Sequence, residues 1–310
     1  MFAPIAGATL QQGTCLSAEP TSCGPPPHAA AVVLARAVVE RWYTAPGVRR
    51  VAVSERGVSG TLFLPPGPGR FPAVLDMWGG GGGLVEYRAA LLASHGFVTF
   101  SLQYLSVSGP AANVHLSYFE TAFKILQEHH LVAGERVAVL GLSFGASLCL
   151  SMAAYSEEVQ PKCCVCISGS HAQPLKMSLL AVFENLNKNV HKARIDEKNR
   201  LTWKDVLLPI PTDPDMKIDV GRIKCPLLVI YGTDDLNWPA AESAEDIRKM
   251  MEEAGNSHLL TVLAYPGAGH LIKTPYSPHS RASYGRDKSI TNIFLMVLPD
   301  HSNTVCSFFH

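Results

Sequence analysis

The sequence has no excess of charge of either sign. Lysine and arginine total 26, aspartate and glutamate also total 26, and the formal net charge is therefore zero. This balance gives no argument for binding nucleic acid or a charged membrane surface. No apolar run reaches the roughly 20 residues that a membrane-spanning helix needs. We therefore expect neither a nucleic-acid partner nor a membrane span.

Residues 1–30 contain no lysine or arginine. A secretory signal peptide starts with basic residues and a transit peptide is rich in arginine, so this segment fits neither. Its alanine, proline, glycine, serine and threonine content predicts disorder over residues 1–35. The final Ser307-Phe308-Phe309-His310 is not a peroxisomal address. We therefore expect a cytoplasmic protein.

The eight cysteines predict neither a disulfide framework nor a metal site. Cys149 falls in a predicted helix, and Cys163, Cys164 and Cys166 fall in a predicted core strand, where a free thiol acts as a small apolar group. Cys163 and Cys166 have C-x-x-C spacing, but three residues apart on a strand they point to opposite faces. No second C-x-x-C pair or histidine cluster completes a zinc site. We expect reduced thiols, no metal and no cofactor.

The most informative motif is G-x-S-x-G, at Gly141-Leu142-Ser143-Phe144-Gly145. The apolar run 136–140 before it predicts a strand, and residues 146–153 after it predict a helix. This context is typical of a nucleophile elbow, a sharp turn that exposes the serine hydroxyl at the end of a sheet strand. The start of the helix would aim backbone N–H groups at an anion forming beside Ser143. The alternative is a strand-to-helix turn that happens to carry a serine.

Two later strand ends carry an acid and a base. Residues 226–232 predict a strand followed by Asp234 and Asp235, and residues 259–265 predict a strand followed by a glycine-rich loop with His270. The order serine, aspartate, histidine is that of an α/β-hydrolase, in which the histidine takes the serine proton and the acid orients the histidine. The residues alone favour Asp235 over Asp234 only slightly.

These side chains also have ordinary alternative roles. Either aspartate would suit the cap of a helix that starts near Trp238, and His270 is one of twelve histidines. His258 enters a predicted strand, and we expect it to face solvent. The catalytic interpretation is favoured because all three elements stand in the right order, each at a strand end.

The predicted oxyanion hole combines the N–H of Phe144 with an N–H of Gly80 or Gly81. The two glycines belong to the run 79–83, which follows a predicted strand at 71–78 and precedes a helix that opens at 84–88. A flexible linker is the alternative, disfavoured because the run joins a strand to an apolar helix. A phosphate-binding loop is excluded because no Gly-Lys-Ser/Thr follows.

Alternating strands and helices predict an α/β fold, with a mostly parallel sheet covered by helices on both faces. Residues 50–65 predict an entering antiparallel hairpin. Further predicted elements are strands at 97–102 and 162–168 and a helix at 114–130. The alternation lapses at 175–219, which we expect to form a lid-like insertion.

Longer motifs surround these sites. They span residues 45–50, 60–66, 81–88, 148–153, 234–238, 265–270, 275–276 and 281–283. Through these motifs, residues 36–283 resemble the bile-acid-CoA:amino-acid N-acyltransferase and type I acyl-CoA thioesterase family. The resemblance implies an α/β-hydrolase fold, an acyl-CoA thioester as substrate, and Asp235 as the acid, since the family's acid is the second of two adjacent aspartates. Lys192, Arg194 and Arg200 in the insertion would then attract the phosphates of coenzyme A.

That role of the insertion has a plain alternative, a solvated helical surface. Acidic residues lie among the basic ones: Glu184, Asp196, Glu197 and Asp205.

The chain departs from the family pattern in three places. Family members carry a β-sandwich domain of on the order of a hundred residues ahead of the hydrolase domain; here only residues 1–35 precede the resemblance. Phe144 replaces the family's usual lysine after the nucleophile. Beyond Ser283 the pattern stops, which leaves a divergent tail at 285–310. We expect a hydrolase domain at 36–284 in a shortened family member, and we expect apolar residues 290–298 to pack on it as a short helix or strand.

Together these features predict a serine thioesterase that hydrolyses acyl-CoA without a cofactor. Amino-acid N-acylation is the nearest alternative, but it is associated with a cysteine nucleophile in this family. A truncated, catalytically inactive protein and a general carboxylesterase are the others.

Overall fold

A computed structural model describes residues 43–80, 83–105, 115–172, 186–197, 200–272, 283–284 and 291–292. Residues 1–35, predicted to be disordered, lie outside the described residues, and so does Gly81. Of the tail 285–310, only Thr291 and Asn292 are described.

The described strands are β1 (Arg49–Glu55), β2 (Val58–Leu64), β3 (Phe71–Met77), β4 (Val98–Gln103), β5 (Val132–Leu142), β6 (Cys164–Ile167), β7 (Arg194–Ile195), β8 (Arg200–Thr202), β9 (Leu227–Gly232), β10 (Leu260–Tyr265), β11 (Ser283–Tyr284) and β12 (Thr291–Asn292). Eight of the twelve described strands, β1 to β6, β9 and β10, follow one another in the predicted order. The longer helices are α1 (Tyr87–Ser94), α2 (Leu116–Glu128), α3 (Phe144–Tyr155) and α4 (Ala240–Glu253).

One eight-stranded sheet has the order β1-β2-β4-β3-β5-β6-β9-β10. β1 and β2 form the predicted antiparallel hairpin, with Arg49 opposite Leu64 and Glu55 opposite Val58. Its two-residue turn, Arg56-Gly57, has φ of 50° and 77°, and positive φ at both positions is what a tight hairpin turn of this kind requires. From β4 to β10 the neighbouring strands are parallel.

Helices cover both faces of this sheet. Along β5, Val137 and Val139 belong to one buried cluster and Ala138 and Leu140 to another, because side chains alternate across a strand. The first cluster includes side chains of α2, α3 and α4, and the second includes Leu92 of α1. The predicted α/β-hydrolase architecture is therefore confirmed.

The cysteine prediction follows the same alternation. Cys163 belongs to the second cluster and Cys166 to the first, so they lie on opposite faces of the sheet. Cys164 and Cys166 share a face, and their sulfur atoms are 3.7 Å apart.

The parallel strands bring several loops to one edge of the sheet. The carboxyl ends of β3, β5, β6, β9 and β10 all point the same way, so the loops that follow them converge. The described residues of these loops are 78–80 and 83, 143, 168–172, 233–239 and 266–272.

The insertion is irregular in its described residues, 186–197 and 200–219. β7 and β8 pair antiparallel there, and β8 pairs in parallel with Thr291–Asn292 of β12. The described part of the segment 290–298 is thus a strand; the other residues of that segment lie outside the described ones. The N–H groups of Trp203 and Lys204 both donate to Leu236 O at 3.1 Å, which joins the insertion to the loop after β9.

Within the described ranges, no helix has both the length and the apolar character needed to cross a membrane.

Candidate active site

Ser143 stands in the turn between β5 and α3 with φ 57° and ψ −122°. A residue other than glycine held at positive φ stores roughly 1–3 kcal/mol of strain and persists only when its surroundings impose it. Those surroundings are crowded: a Cβ on Gly141 would overlap the carbonyl of Gly145, and one on Gly145 would overlap the carbonyl of Met77. The glycines of the motif are therefore there because only glycine fits this turn.

Asp235 and His270 are joined directly. The Asp235 Oδ2 atom lies 2.9 Å from His270 Nδ1, and the two side chains are 3% and 2% exposed. The other oxygen, Oδ1, accepts the N–H groups of Asn237 and Trp238, each at 2.9 Å. Asp235 thus serves as a turn acceptor and as the partner of the histidine at once. With Nδ1 towards Asp235, His270 turns Nε2 to the opposite side of its ring.

The two loops that carry this pair are bonded to each other. Asp234 N donates to Ala268 O at 2.9 Å, and Thr233 N donates to Tyr265 O at 3.1 Å. Gly267 N in turn donates to Thr233 Oγ1 at 2.9 Å. These bonds fix the loop that carries Asp235 relative to the loop that carries His270. The contact between the two side chains therefore has little freedom to change.

The other acid and base candidates are Asp234 and His258. Asp234 is half-buried beside Asp235, and of the two it is the Asp235 carboxylate that bonds His270. His258 is exposed, as expected, in a short 3-10 turn ahead of β10.

The predicted oxyanion loop lies against the elbow. A Cβ on Gly79 would come within 2.9 Å of Ser143 Cβ and 3.4 Å of Ser143 Oγ, and one on Gly80 would lie 4.0 Å from Phe144 Cβ. Of the described glycines in this run, Gly79 is the one whose Cβ would meet Ser143, whereas the sequence predicts Gly80 or Gly81 as the donor. The sequence feature that could have indicated Gly79 is its position as the first glycine after β3.

Phe144 contributes more than a backbone N–H. Its side chain is 1% exposed, and its ring centroid lies 6.5 Å from that of Trp238. Trp238 donates its backbone N–H to Asp235 Oδ1. Phe144 therefore packs the start of α3 against the turn that holds Asp235. A lysine here, usual in the family it resembles, would not bury its charged end in this position without a partner.

A second histidine–aspartate pair, which no sequence pattern indicated, joins the loop after β6 to α4. His171 is buried, with Nε2 2.7 Å from Asp246 Oδ2 of α4, and Lys217 Nζ lies 2.9 Å from the same oxygen. Burial lowers the pKa of His171, which favours the neutral ring, and the hydrogen bond from His171 together with Lys217 lowers the pKa of Asp246. Ile218 N also donates to His171 O at 2.8 Å. The cluster therefore ties the end of the insertion to α4.

The basic candidates of the insertion form a group apart. Lys192 Nζ donates to Leu208 O at 3.1 Å, and Arg194 Nε pairs with Asp205 Oδ2 at 2.7 Å while its side chain stays 77% exposed. With His191 and Pro209 they line an open groove of about 670 Å³. Of Arg200 the structure describes the backbone, at the start of β8.

Curated relatives match most of this chain. Acyl-coenzyme A thioesterase 5 of Mus musculus is 39% identical over 260 residues, which is 81% of this chain and 61% of the relative. Acyl-coenzyme A thioesterase 2, mitochondrial, of Homo sapiens is 38% identical over 252 residues, 79% of this chain and 51% of the relative. Peroxisomal succinyl-coenzyme A thioesterase of Mus musculus is 36% identical over 259 residues, 81% of this chain and 60% of the relative. The chain thus spans between half and two thirds of the length of these relatives.

Solved structures agree on the fold. MGS-M1, an alpha/beta hydrolase enzyme from a Medee basin deep-sea metagenome library, superposes with a TM-score of 0.52 at 16% identity, covering 86% of this chain and 98% of its own. A puromycin-hydrolyzing peptidase of Mycobacterium tuberculosis gives 0.52 at 17% identity, covering 72% of this chain and 36% of its own.

The family model "BAAT / Acyl-CoA thioester hydrolase C terminal" matches residues 114–294. The match includes Ser143, Asp235 and His270 and continues past Ser283, where the resemblance was expected to stop. It covers more than half of the chain, which therefore belongs to the BAAT / acyl-CoA thioester hydrolase family.

Proposed function

We propose that this protein is a serine hydrolase that cleaves acyl-CoA thioesters to a free acid and coenzyme A through Ser143, His270 and Asp235. The observation that carries the proposal is the buried 2.9 Å contact of His270 Nδ1 with Asp235 Oδ2, at the sheet edge where strained Ser143 stands. The names of the relatives support a coenzyme A thioester as the substrate.

In the proposed mechanism Asp235 accepts the Nδ1–H of His270 and so leaves Nε2 as the base. His270 takes the Ser143 proton as Oγ attacks the thioester carbonyl, and the negative oxygen is held by the N–H of Phe144 and an N–H of the 79–83 loop. His270 then protonates the sulfur of coenzyme A as the C–S bond breaks. Water attacks the acyl-serine with His270 as base, and the free acid leaves.

The test is hydrolysis of a panel of acyl-CoAs of increasing chain length by the purified protein, with free thiol as the readout. A p-nitrophenyl ester is assayed in parallel. Release of coenzyme A supports the proposal. Turnover of the p-nitrophenyl ester without release of coenzyme A would indicate a general carboxylesterase. A folded protein that hydrolyses neither substrate would be a catalytically inactive member of the family.

Ser143→Cys is expected to retain part of the hydrolysis and to gain acyl transfer to glycine or taurine. A thioester acyl-enzyme reacts readily with amines, whereas an oxygen ester mostly awaits water. Wild-type protein should release free acid even with the amine present. The products are separated by mass spectrometry, and mainly N-acyl product from the wild type would overturn the hydrolase assignment.

We also propose that the groove lined by Lys192 and Arg194, with Arg200 nearby in sequence, receives the phosphates of coenzyme A. Reversing both described charges, Lys192→Glu with Arg194→Glu, should raise KM for acyl-CoA about tenfold with kcat little changed, because the groove would then repel the phosphates.

The matched control is Arg248→Glu, since Arg248 pairs with Glu245 on α4 as Arg194 pairs with Asp205. KM for an acyl thioester of N-acetylcysteamine, which has no phosphate, should be the same in all three proteins. An unchanged KM for acyl-CoA in the double variant would place the phosphates elsewhere.

A further inference from the structure

The segment Tyr104-Leu105, which directly follows β4, bonds to the described residues at each end of the glycine run 79–83. At the near end, Tyr104 Oη donates to the carbonyl of Trp78, the residue just before the loop. At the far end, Gly83 N donates to Leu105 O at 2.8 Å. The loop therefore begins and ends on hydrogen bonds to two adjacent residues that lie more than twenty positions away in sequence from Trp78.

A buried ion pair braces the near end from the other side. Arg88 Nε lies 2.8 Å from Asp76 Oδ1, and Arg88 Nη2 contacts the same oxygen and donates to Met77 O at 3.2 Å. The guanidinium carbon lies 5.3 Å from the centre of the Trp78 ring. Asp76 and Arg88 are 2% and 13% exposed, so neither solvent nor salt screens the pair strongly.

The braced backbone is the part that touches the nucleophile elbow. Gly145 packs so closely on the carbonyls of Met77 and Trp78 that a Cβ there would overlap both. Gly79, the next residue, lies against the Ser143 side chain. An oxyanion donor works over a narrow range of about 2.7–3.1 Å. The position of Trp78 therefore decides where the N–H groups of Gly79 and Gly80 lie relative to Ser143.

We propose that Tyr104 is a positioning residue for the oxyanion hole: its hydroxyl, by holding the Trp78 carbonyl, sets the N–H groups of Gly79 and Gly80 at the distance that stabilises the transition state. The inference rests on the proposed function, because it assumes that the loop serves Ser143 as oxyanion donor. Tyr104 is 6% exposed, and burial raises its pKa well above the ordinary value. The hydroxyl thus keeps its proton and remains a donor.

The chain offers a closely matched control in Tyr118. Its hydroxyl also donates to a backbone carbonyl, that of Gln103, at 2.6 Å. Both tyrosine rings pack edge-on against Phe119 with centroids 5.5 Å away. Tyr118 Oη also accepts the N–H of Ser59 in β2, which is not part of the site.

Tyr104→Phe is expected to lower kcat for acyl-CoA hydrolysis roughly ten- to a hundredfold, somewhat less than the loss of a whole oxyanion donor, with KM within twofold of wild type. Binding of a trifluoromethyl ketone, which forms an oxyanion on Ser143, should weaken by a similar factor. Tyr118→Phe should leave kcat and inhibitor binding unchanged. A merely structural tyrosine would lower the melting temperature and leave kcat per folded molecule as it was.

The rate at which a fluorophosphonate probe labels Ser143 separates this inference from the proposed function. Slower labelling of Tyr104→Phe than of Tyr118→Phe supports the positioning role even if no acyl-CoA is hydrolysed, a result that would defeat the proposed function alone. Equal labelling and equal kcat in the two variants would overturn the inference. If Tyr104→Phe does not fold, Arg88→Lys is measured by the same readouts. Lysine retains the charge beside Asp76 but lacks the second nitrogen that reaches Met77 O, so this variant loosens the same part of the backbone from the other side.

Discussion

Ser143→Ala is expected to lower kcat for acyl-CoA hydrolysis by roughly 10⁴- to 10⁶-fold, because the substitution removes the attacking oxygen and leaves only the oxyanion hole and substrate binding. His270→Ala should cost a similar factor. The double variant should be no worse than either single one, since the two residues act in the same step. Turnover is measured as free coenzyme A per folded molecule.

Ser151→Ala is the matched control for Ser143→Ala. Ser151 lies on α3, the helix that follows Ser143, and its buried hydroxyl has no hydrogen-bond partner among the described residues, so its loss should change neither kcat nor stability appreciably. Ser143→Gly should be as inactive as Ser143→Ala, yet more stable by about 1 kcal/mol, because glycine adopts φ 57° without strain. Substantial turnover by Ser143→Ala would rule out Ser143 as nucleophile.

Asp235→Asn is expected to lower kcat by roughly 10⁴-fold, whereas Asp234→Asn should change it by less than about threefold. Asparagine retains an oxygen to accept the N–H groups of Asn237 and Trp238, so the turn survives. Its amide nitrogen, however, would face His270 Nδ1 as a donor and favour the wrong tautomer of the ring. Both variants should melt within a few degrees of wild type.

Because Asp234 and Asp235 are adjacent in one turn, the two variants can be compared directly. Loss of turnover in Asp234→Asn with normal turnover in Asp235→Asn would assign the acid to Asp234 and reject the 2.9 Å contact of Asp235 with His270 as the catalytic one. Equal and modest effects of both would mean that His270 works without an acid partner.

The sequence by itself determined the order of the main strands and helices and the place of the elbow. β5, β9 and β10 each contain an apolar run, and Ser143, Asp235 and His270 follow these strands within five residues. Such signals are local, because a strand's polarity pattern and its terminating turn lie within a few residues. The sequence also predicted that Ser143, Asp235 and His270 share one edge of the sheet, since each follows a parallel strand and the carboxyl ends of parallel strands meet there. The family followed from motifs of this kind.

Only the tertiary structure decided which side chains meet. From the residues alone Asp234 and Asp235 stayed nearly equivalent, and the partner of His270 depends on a bond across 35 residues. Tyr104 and the pair His171–Asp246 matched no sequence pattern, because their partners are set by strand register and loop packing. The bond from Tyr104 to Trp78 spans 26 residues and that from His171 to Asp246 spans 75. No local pattern encodes such contacts, which exist only once the sheet has brought distant loops to the same edge.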